Sequence, residues 1–275
     1  MKEIFERDPE AAVRSQEFIQ TFHNFIAADL RSFISAKATK AGVRVVEEAK
    51  IFGSYKSKDV DVAVVHPTNG PLILVGVRSQ MSSVGKNVLT YYQDIVGEAI
   101  SLQERFPMCT AGYAYLHPLR VIPWQRKNGS WTKAETPNHP RFAKMYAAIG
   151  DRDDRLYKHQ TGSYDQFAYA VVDFQSDPLI VRDDIVQRAV KNIDLSIRTF
   201  VPRLVDTFYN RNLWVQDIFE STHVDDLMSE DDDNLDGSLV EANQRLFGLG
   251  LPPPHEDLGT FPDGGEAITT NELSD

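Results

Sequence analysis

The sequence predicts an α/β protein, and three observations point to this class. Helical and strand periodicities alternate along the first 222 residues, and no internal repeat is visible. A chain of 275 residues that is 42% apolar and 25% charged has the balance of a globular protein that buries a core. The residues from 223 onward keep neither periodicity. We therefore expect one α/β domain at 1–222 and a tail at 223–275.

The first half of the domain predicts one helix followed by three strands. From Glu10 to about Ala41 the apolar residues recur at three- and four-residue steps, which indicates an amphipathic helix, with room for a bend, that Gly42 ends. Strands are expected at 43–52, 59–67 and 72–80, because the intervening segments GSYKSK and PTNGP are rich in turn formers. This pattern predicts a β-meander that is preceded by a helix.

The second half predicts helices that alternate with single strands. Helical spacing extends from Lys86 to Phe106, where Pro107 ends it. A strand at 109–119, a helix at 141–149 and a strand at 164–174 follow. The apolar positions from Arg182 to Tyr209 predict one long helix, kinked at Pro202 because proline removes a backbone donor. The predicted order is α-βββ-α-β-α-β-α.

The acidity of the chain is concentrated in the tail. The net charge is −11, yet the tail carries 14 Asp and Glu against the single Arg245. The remaining 222 residues carry 28 Lys and Arg against 26 Asp and Glu. Like charges with few apolar residues predict that most of the tail is disordered. It is either a solvated terminus, or a mimic of a phosphate backbone that covers a basic groove, or a docking segment for a protein partner.

Several classes of protein are excluded by the composition. A single cysteine, Cys109, provides neither a disulfide framework nor a cysteine zinc site, and a reducing cytoplasmic setting fits it. No apolar run approaches the roughly 20 residues of a membrane span, and the first residues lack a signal-peptide core. The sequence has no HExxH, GxxxxGK[ST] or GxGxxG motif, so zinc protease, P-loop and dinucleotide chemistry have no support.

Polar residues cluster on the second and third strands. Asp59 and Asp61 have the same parity on an extended strand, and Gly76, Arg78 and Gln80 share a face of the next strand. If these faces coincide, an Asp61–Arg78 ion pair forms there. Alternatively, carboxylates hold Mg²⁺ beside a phosphodiester.

Three further acids are candidates for that metal site. Glu47 and Glu48 lie on the preceding strand with opposite parity, so at most one of them faces the site. Glu17 on the first helix is the third.

This block resembles the PD-(D/E)xK nuclease superfamily, which has the restriction-endonuclease-like fold. The α-βββ-α-β order is similar, and the segments GVRSQMSSVGKN and GEAISLQERFP resemble a stretch of some type II restriction endonucleases and their relatives. The resemblance covers about residues 43 to 118. It implies that Asp61, which precedes the apolar run VAVV, binds the metal, with Asp59 as the alternative.

The acidic residue and lysine of the superfamily motif are absent at the expected positions. If Arg78 takes the lysine position, Gly76 stands at the acidic one; if Gln80 takes it, Arg78 stands there instead. Arginine stays protonated and is no general base, although it clamps a phosphate well. The second metal ligand then comes from Glu47, Glu48 or Glu17, or from a backbone carbonyl.

The resemblance implies a Mg²⁺-dependent or Mn²⁺-dependent DNA endonuclease of a restriction or related defence system. Asp61, Arg78, Gln80 and Glu47 are the candidate catalytic residues. A homodimer is expected, since duplex cleavage usually needs two sites. The alternative is a catalytically degenerate protein that keeps the fold to bind DNA or a partner.

Cationic and polar side chains of two loops are the candidate DNA contacts: Lys56, Lys58, Ser82, Ser83, Lys86, Asn87, Arg126 and Lys127.

Overall fold

The computed structural model describes residues 1–7, 16–81, 84–122, 124–125, 130–131, 133–150, 163–215 and 217–220. The predicted tail, 223–275, lies outside the described residues. The helices are α1 Lys2–Arg7, α2 Gln16–Phe33, α3 Ala36–Lys40, α4 Val84–Arg105, α5 His139–Ala147, α6 Asp183–Ala189 and α7 Phe200–Arg211. The strands are β1 Arg44–Phe52, β2 Ser57–His66, β3 Gly70–Ser79, β4 Thr110–Pro118, β5 Trp124–Gln125, β6 Ser130–Trp131, β7 Gln166–Asp173 and β8 Ile180–Val181.

Six strands form one mixed sheet in the order β1-β2-β3-β4-β7-β8. The predicted meander is confirmed, because β1, β2 and β3 are antiparallel neighbours. The strands β3, β4 and β7 run parallel to one another, and β8 adds an antiparallel edge. All nine residues of β4 are buried, as expected for a parallel strand covered by helices on both faces. The α/β class is therefore correct.

Helices cover both faces of the sheet. On one face, α2 and α7 contribute apolar side chains such as Phe22, Ile26 and Leu204 to a core shared with the odd-numbered residues of β3. On the other face, α4, α5 and α6 pack against aromatic residues of β4 and β7. A smaller cluster lies where the C-terminal half of α4 meets the β1–β2 hairpin, and it includes Leu102 and Cys109.

The predicted first helix is divided in two. The helix α2 ends at Phe33, and Ser35 then caps α3 by accepting a hydrogen bond from the Ala38 backbone nitrogen at 3.0 Å. Gly42 follows with φ +92, a left-handed conformation that glycine adopts without strain. The predicted end at Gly42 is confirmed, and residues 10–15 of the predicted helix lie outside the described residues.

The long helix expected from Arg182 to Tyr209 is wrong. The structure has two helices, α6 and α7, separated by residues 190–199. Asp194 accepts a hydrogen bond from the Ser196 backbone nitrogen, and the Ser196 hydroxyl accepts one from Arg198 N. Such local side-chain bonds compete with the helical ladder. Pro202 lies in the first turn of α7, where its missing N–H costs nothing, so no kink is needed.

Candidate functional site

The candidate site lies where β2 separates from β3. Their pairing runs from Val62↔Val75 to His66↔Gly70, and below Val62 the strand β2 pairs with β1 as far as Ser57. The Val77 N–H donates instead to Asp61 Oδ2 at 2.6 Å. A side chain thus satisfies a backbone donor beyond the last ladder pair, and this hydrogen bond holds the Asp61 carboxylate between the two strands.

The strand β1 is irregular opposite Asp61. Its pairing with β2 passes from Glu47↔Val62 to Ala49↔Val60, and Glu48 between them has φ +51. A non-glycine residue in this left-handed region costs about 1 kcal/mol. The distortion brings Glu48 Oε1 within 3.1 Å of His23 Nδ1. Backbone strain is therefore stored at a residue that joins a polar cluster.

His23 enters the site from α2. Its relative exposure is 5%, although the helix face around it is otherwise apolar. Its Nε2 atom forms no hydrogen bond with a described residue and lies 3.7 Å from Asp61 Oδ1, which is beyond hydrogen-bonding distance. One ligand atom from each of His23, Glu48 and Asp61 lies within 4.8 Å of the others. We call these three residues the His-Glu-Asp cluster.

A pocket opens beside this cluster. Its volume is about 530 Å³, and it lies between α2 and the sheet. The pocket provides room for an ion and its remaining ligands. Its lining consists of the cluster together with Ile19, Gln20 and Val77.

The electrostatics of Asp61 reflect opposing effects. Burial is the largest and raises the pKa of this carboxyl above its usual value, and the nearby Glu98 carboxylate acts in the same direction. The Val77 N–H, His23 and Lys58 lower the pKa. The net result is a carboxylate that is costly to ionise in the protein alone and that a bound cation would stabilise.

A second acid, Glu98 of α4, borders the site from the other face of the sheet. It is 8% exposed, and its Oε2 atom pairs with Lys58 Nζ at 2.8 Å. A Cβ at Gly76 would lie 3.4 Å from Glu98 Oε1 and 2.6 Å from two ring carbons of Tyr113. Position 76, which is the acidic position if Arg78 takes that of the lysine, must therefore lack a side chain. A carboxylate from α4 occupies the neighbouring space.

Arg78 and Gln80 lie apart from the His-Glu-Asp cluster. The Arg78 guanidinium carbon is 4.3 Å from the centroid of the Tyr91 ring on α4. The buried Gln80 accepts a hydrogen bond from the Tyr115 hydroxyl at 2.6 Å. These contacts are on the α4 side of the sheet, whereas His23 is on the α2 side. The sequence left open whether the faces of Asp61, Arg78 and Gln80 coincide, and the contacts of Arg78 with Tyr91 and of Gln80 with Tyr115 lie on the face opposite to His23.

The other predicted acids have separate positions. Glu47 pairs with Arg31 of α2 at 2.6 Å. Asp59 is exposed and lies opposite Lys50 in the β1–β2 ladder. Glu17 is exposed in the first turn of α2 and does not line the pocket. Among the three acids left open by the sequence, Glu48 is the one that joins Asp61.

The predicted DNA contacts are only partly described. Lys56 is exposed in the hairpin turn, Lys58 pairs with Glu98, and Asn87 is half-buried on α4. Ser82, Ser83, Arg126, Lys127 and the side chain of Lys86 lie outside the described residues.

Sequence reasoning missed two residues of the site, His23 and Glu98. Both are polar residues on the apolar face of an amphipathic helix: His23 between Phe22 and Ile26, and Glu98 beside Ile95 and Ala99. A buried polar group is costly unless it is paired or bound. A polar residue on the apolar face of each helix was therefore the sequence signal that could have identified His23 and Glu98.

No family model, curated protein or solved structure matches this chain. Within the described part of the chain, none of the helices is long and apolar enough to cross a membrane.

Proposed function

We propose that this protein is a metal-dependent DNA endonuclease of a restriction or related defence system, with a restriction-endonuclease-like core. One observation carries the proposal: Asp61 is held between the diverging strands β2 and β3, with Glu48 and the unbonded Nε2 of His23 beside it. The order α2-α3-β1-β2-β3-α4-β4, with an antiparallel meander followed by a parallel strand, supports the finer fold assignment.

The residues present fit a divalent cation. Carboxylate and imidazole groups bind divalent cations, and an unbonded buried nitrogen beside a carboxylate is a position that a cation would satisfy. Asp61 would hold the ion, with Glu48 and His23 around it. A bound divalent cation would polarise the phosphoryl group and offset charge at the leaving oxygen. The Mg²⁺ or Mn²⁺ implied by the resemblance has this chemistry.

Cationic side chains near the site favour a phosphodiester substrate. Lys58 contributes to the electrostatics of Asp61, and the exposed Lys56 lies in the adjacent hairpin turn. An exposed lysine such as Lys56 contacts phosphates without reading sequence. A homodimer that acts on the two strands of a duplex, in the cytoplasm, completes the proposal.

The test is cleavage of mixed plasmid and phage DNA by the full-length protein with Mg²⁺, Mn²⁺ or EDTA. We expect discrete fragments that require metal. Asp61→Asn should lower the rate by a factor of about 10³, since metal stabilisation of transition-state charge amounts to several kcal/mol. Asp217→Asn is the matched control: it makes the same chemical change at an exposed residue with φ +64, a conformation that asparagine accepts.

Two results would contradict the assignment of the site. If Asp61→Asn cleaved as the wild type does, Asp61 would have no catalytic part. If Asp59→Asn abolished cleavage instead, the metal would be held by the other aspartate of the strand.

A second candidate is a catalytically degenerate protein that binds DNA or a partner, with the acidic tail as a partner contact. The contacts of Arg78 with Tyr91 and of Gln80 with Tyr115 favour it, because they engage both motif side chains with aromatic residues on the α4 side of the sheet. This candidate predicts no cleavage with any metal and DNA binding that persists in EDTA. Deleting residues 223–275 should then raise DNA affinity at low salt if the tail covers a basic groove.

A further inference from the structure

The environment of His23 differs from that of an ordinary core histidine. Its ring is 5% exposed, yet it faces a pocket of about 530 Å³ instead of close-packed side chains. Nδ1 lies 3.1 Å from Glu48 Oε1, while Nε2 has no hydrogen bond to a described residue. An unsatisfied buried polar atom that faces an open volume is a position for a ligand.

The two contacts of the ring indicate which nitrogen is available. Glu48 is an acceptor, so the hydrogen of a neutral imidazole belongs on Nδ1, and the lone pair then belongs on Nε2. In this neutral form the lone pair would face Asp61 Oδ1 at 3.7 Å, and two electron-rich atoms so placed would repel each other. A cation between them converts the repulsion into attraction. In protein metal sites a ligating histidine usually donates its second N–H to a carboxylate, which is the position of Glu48.

We propose that His23 Nε2 is a metal ligand and that the cluster therefore binds a first-row transition-metal dication, such as Mn²⁺, more tightly than Mg²⁺. The inference builds on the proposed function, since it names the metal of the same site. Mg²⁺ prefers oxygen ligands and retains its waters, whereas imidazole suits transition metals. Glu48 holds the ring by accepting from Nδ1–H, and Asp61 supplies the oxygen ligand.

The observed separation agrees with this assignment. Metal bonds to imidazole nitrogen and carboxylate oxygen are about 2.0–2.2 Å long, so two ligand atoms of one ion lie up to about 4.4 Å apart. The 3.7 Å between His23 Nε2 and Asp61 Oδ1 is within that reach. Val77 N–H already fixes the other carboxylate oxygen, which leaves Oδ1 for the ion.

The test is Mn²⁺ binding to the full-length, metal-stripped protein, followed by pulsed electron paramagnetic resonance. We expect one tight Mn²⁺ site whose spectrum shows coupling to a ¹⁴N nucleus, and a Kd for Mg²⁺ at least about tenfold weaker. His23→Asn should remove the coupling and the preference for Mn²⁺. Glu48→Gln should weaken Mn²⁺ binding by about 10- to 100-fold while the nitrogen coupling remains, as loss of an outer-shell partner does.

Glu47→Gln is the matched control for Glu48. It removes a carboxylate from the preceding residue of the same strand, where the side chain pairs with Arg31, so Mn²⁺ binding should be unchanged. Bound Mn²⁺ without nitrogen coupling, or equal Mn²⁺ affinity in His23→Asn, would overturn the inference. A His23 ring that is protonated and held between two carboxylates would give the first of these results.

Failure of this inference can be separated from failure of the proposed function. Metal-dependent DNA cleavage without nitrogen coupling would retain the nuclease and reject His23 as a ligand. Nitrogen-coupled Mn²⁺ in a protein that cleaves no DNA would retain the metal site and reject the nuclease.

Discussion

Two buried histidines, His23 and His117, have unbonded ring nitrogens in very different surroundings. His23 faces a pocket lined by Glu48 and Asp61. His117, on β4, is 0% exposed and neither of its nitrogens bonds to a described residue. Its ring lies 4.1 Å from Tyr115 and 4.7 Å from Tyr169, measured between centroids. The first histidine has a pocket and two carboxylates beside it, whereas the second is packed between aromatic rings.

The difference shows when an unbonded polar atom indicates a ligand. Burial alone does not, because His117 and His23 are both buried. Burial lowers the pKa of His117 well below its usual value, so its ring stays neutral and serves as packing. At His23, space and two carboxylates coincide with the unbonded atom. The predictions below test this contrast between the His-Glu-Asp cluster and the aromatic surroundings of His117.

The largest contrast is expected from the same substitution at both histidines. With Mn²⁺ at about 100 times its Kd, binding should stabilise the wild type by about 2.7 kcal/mol. His117→Phe should keep this increment, and His23→Phe should lose most of it because a ligand is removed. Chemical unfolding with and without Mn²⁺ measures both. Equal increments in the two variants would remove the distinction between the histidines.

Gly76, on the strand between the two regions, provides the second prediction. Gly76→Ala should destabilise the protein by about 1–3 kcal/mol, because the new Cβ would lie 2.6 Å from the buried ring of Tyr113. Gly97→Ala on α4 is the control, since a Cβ there meets nothing within 4 Å, and it should stabilise the helix by about 0.5–1 kcal/mol. Urea unfolding compares the two. An unchanged stability in Gly76→Ala would mean that Tyr113 moves freely.

A pH dependence follows from the neutral state of His117. Because the pKa of His117 is lower in the folded protein than in the unfolded chain, the unfolded chain binds more protons when the pH falls. The contribution of His117 to the free energy of unfolding is therefore fully present above pH 6.5, the ordinary pKa of histidine, and is lost as the pH falls below it. Below pH 6.5, His117 should lower the free energy of unfolding by about 1.4 kcal/mol for each pH unit. His139, whose pKa burial also lowers, acts in the same direction.

His117→Phe isolates the contribution of that ring. The variant should lose less stability than the wild type between pH 7 and pH 5, by the amount that one histidine supplies. Unfolding curves at several pH values measure the difference. Identical losses would show that water or protons reach His117 in the folded state.

The smallest effect concerns the strain at Glu48. Glycine accepts φ +51 and alanine does not, so metal-free Glu48→Gly should be about 1 kcal/mol more stable than Glu48→Ala. Both variants lack the carboxylate that orients His23, so both should bind Mn²⁺ more weakly than the wild type. If Glu48→Ala were as stable as Glu48→Gly, the backbone at residue 48 would not be strained by its left-handed conformation.

Most of the elements could be predicted from periodicity. The strands β1, β2 and β3 are present near their expected bounds, because alternating and continuous apolar runs are local signals. The break between α6 and α7 was missed, since the apolar spacing continues across it while hydrogen bonds of Asp194 and Ser196 end the helix. The short strands β5, β6 and β8, of two residues each, carry too little pattern to be predicted.

The candidate site could be predicted only in part. Asp61 and Glu48 were both candidates, but parity within each strand left open whether Arg78 and Gln80 share a face with Asp61. Parity assumes a regular ladder, and this ladder ends at Val62, while Glu48 adopts a left-handed conformation. No local signal indicates either irregularity, because neither residue is a glycine.

The sequence by itself determined the α/β class, the meander, the acidic tail and an aspartate on β2. These properties depend on composition and on periodicities within single elements. Only the tertiary structure decided that His23, which lies 38 residues before Asp61, meets it across the α2–sheet interface, and that Glu98 fills the space beside Gly76. Such meetings depend on how helices cross the sheet. The orientation of each helix on the sheet depends on the packing of many side chains from different elements, so it cannot be predicted from one segment of the sequence.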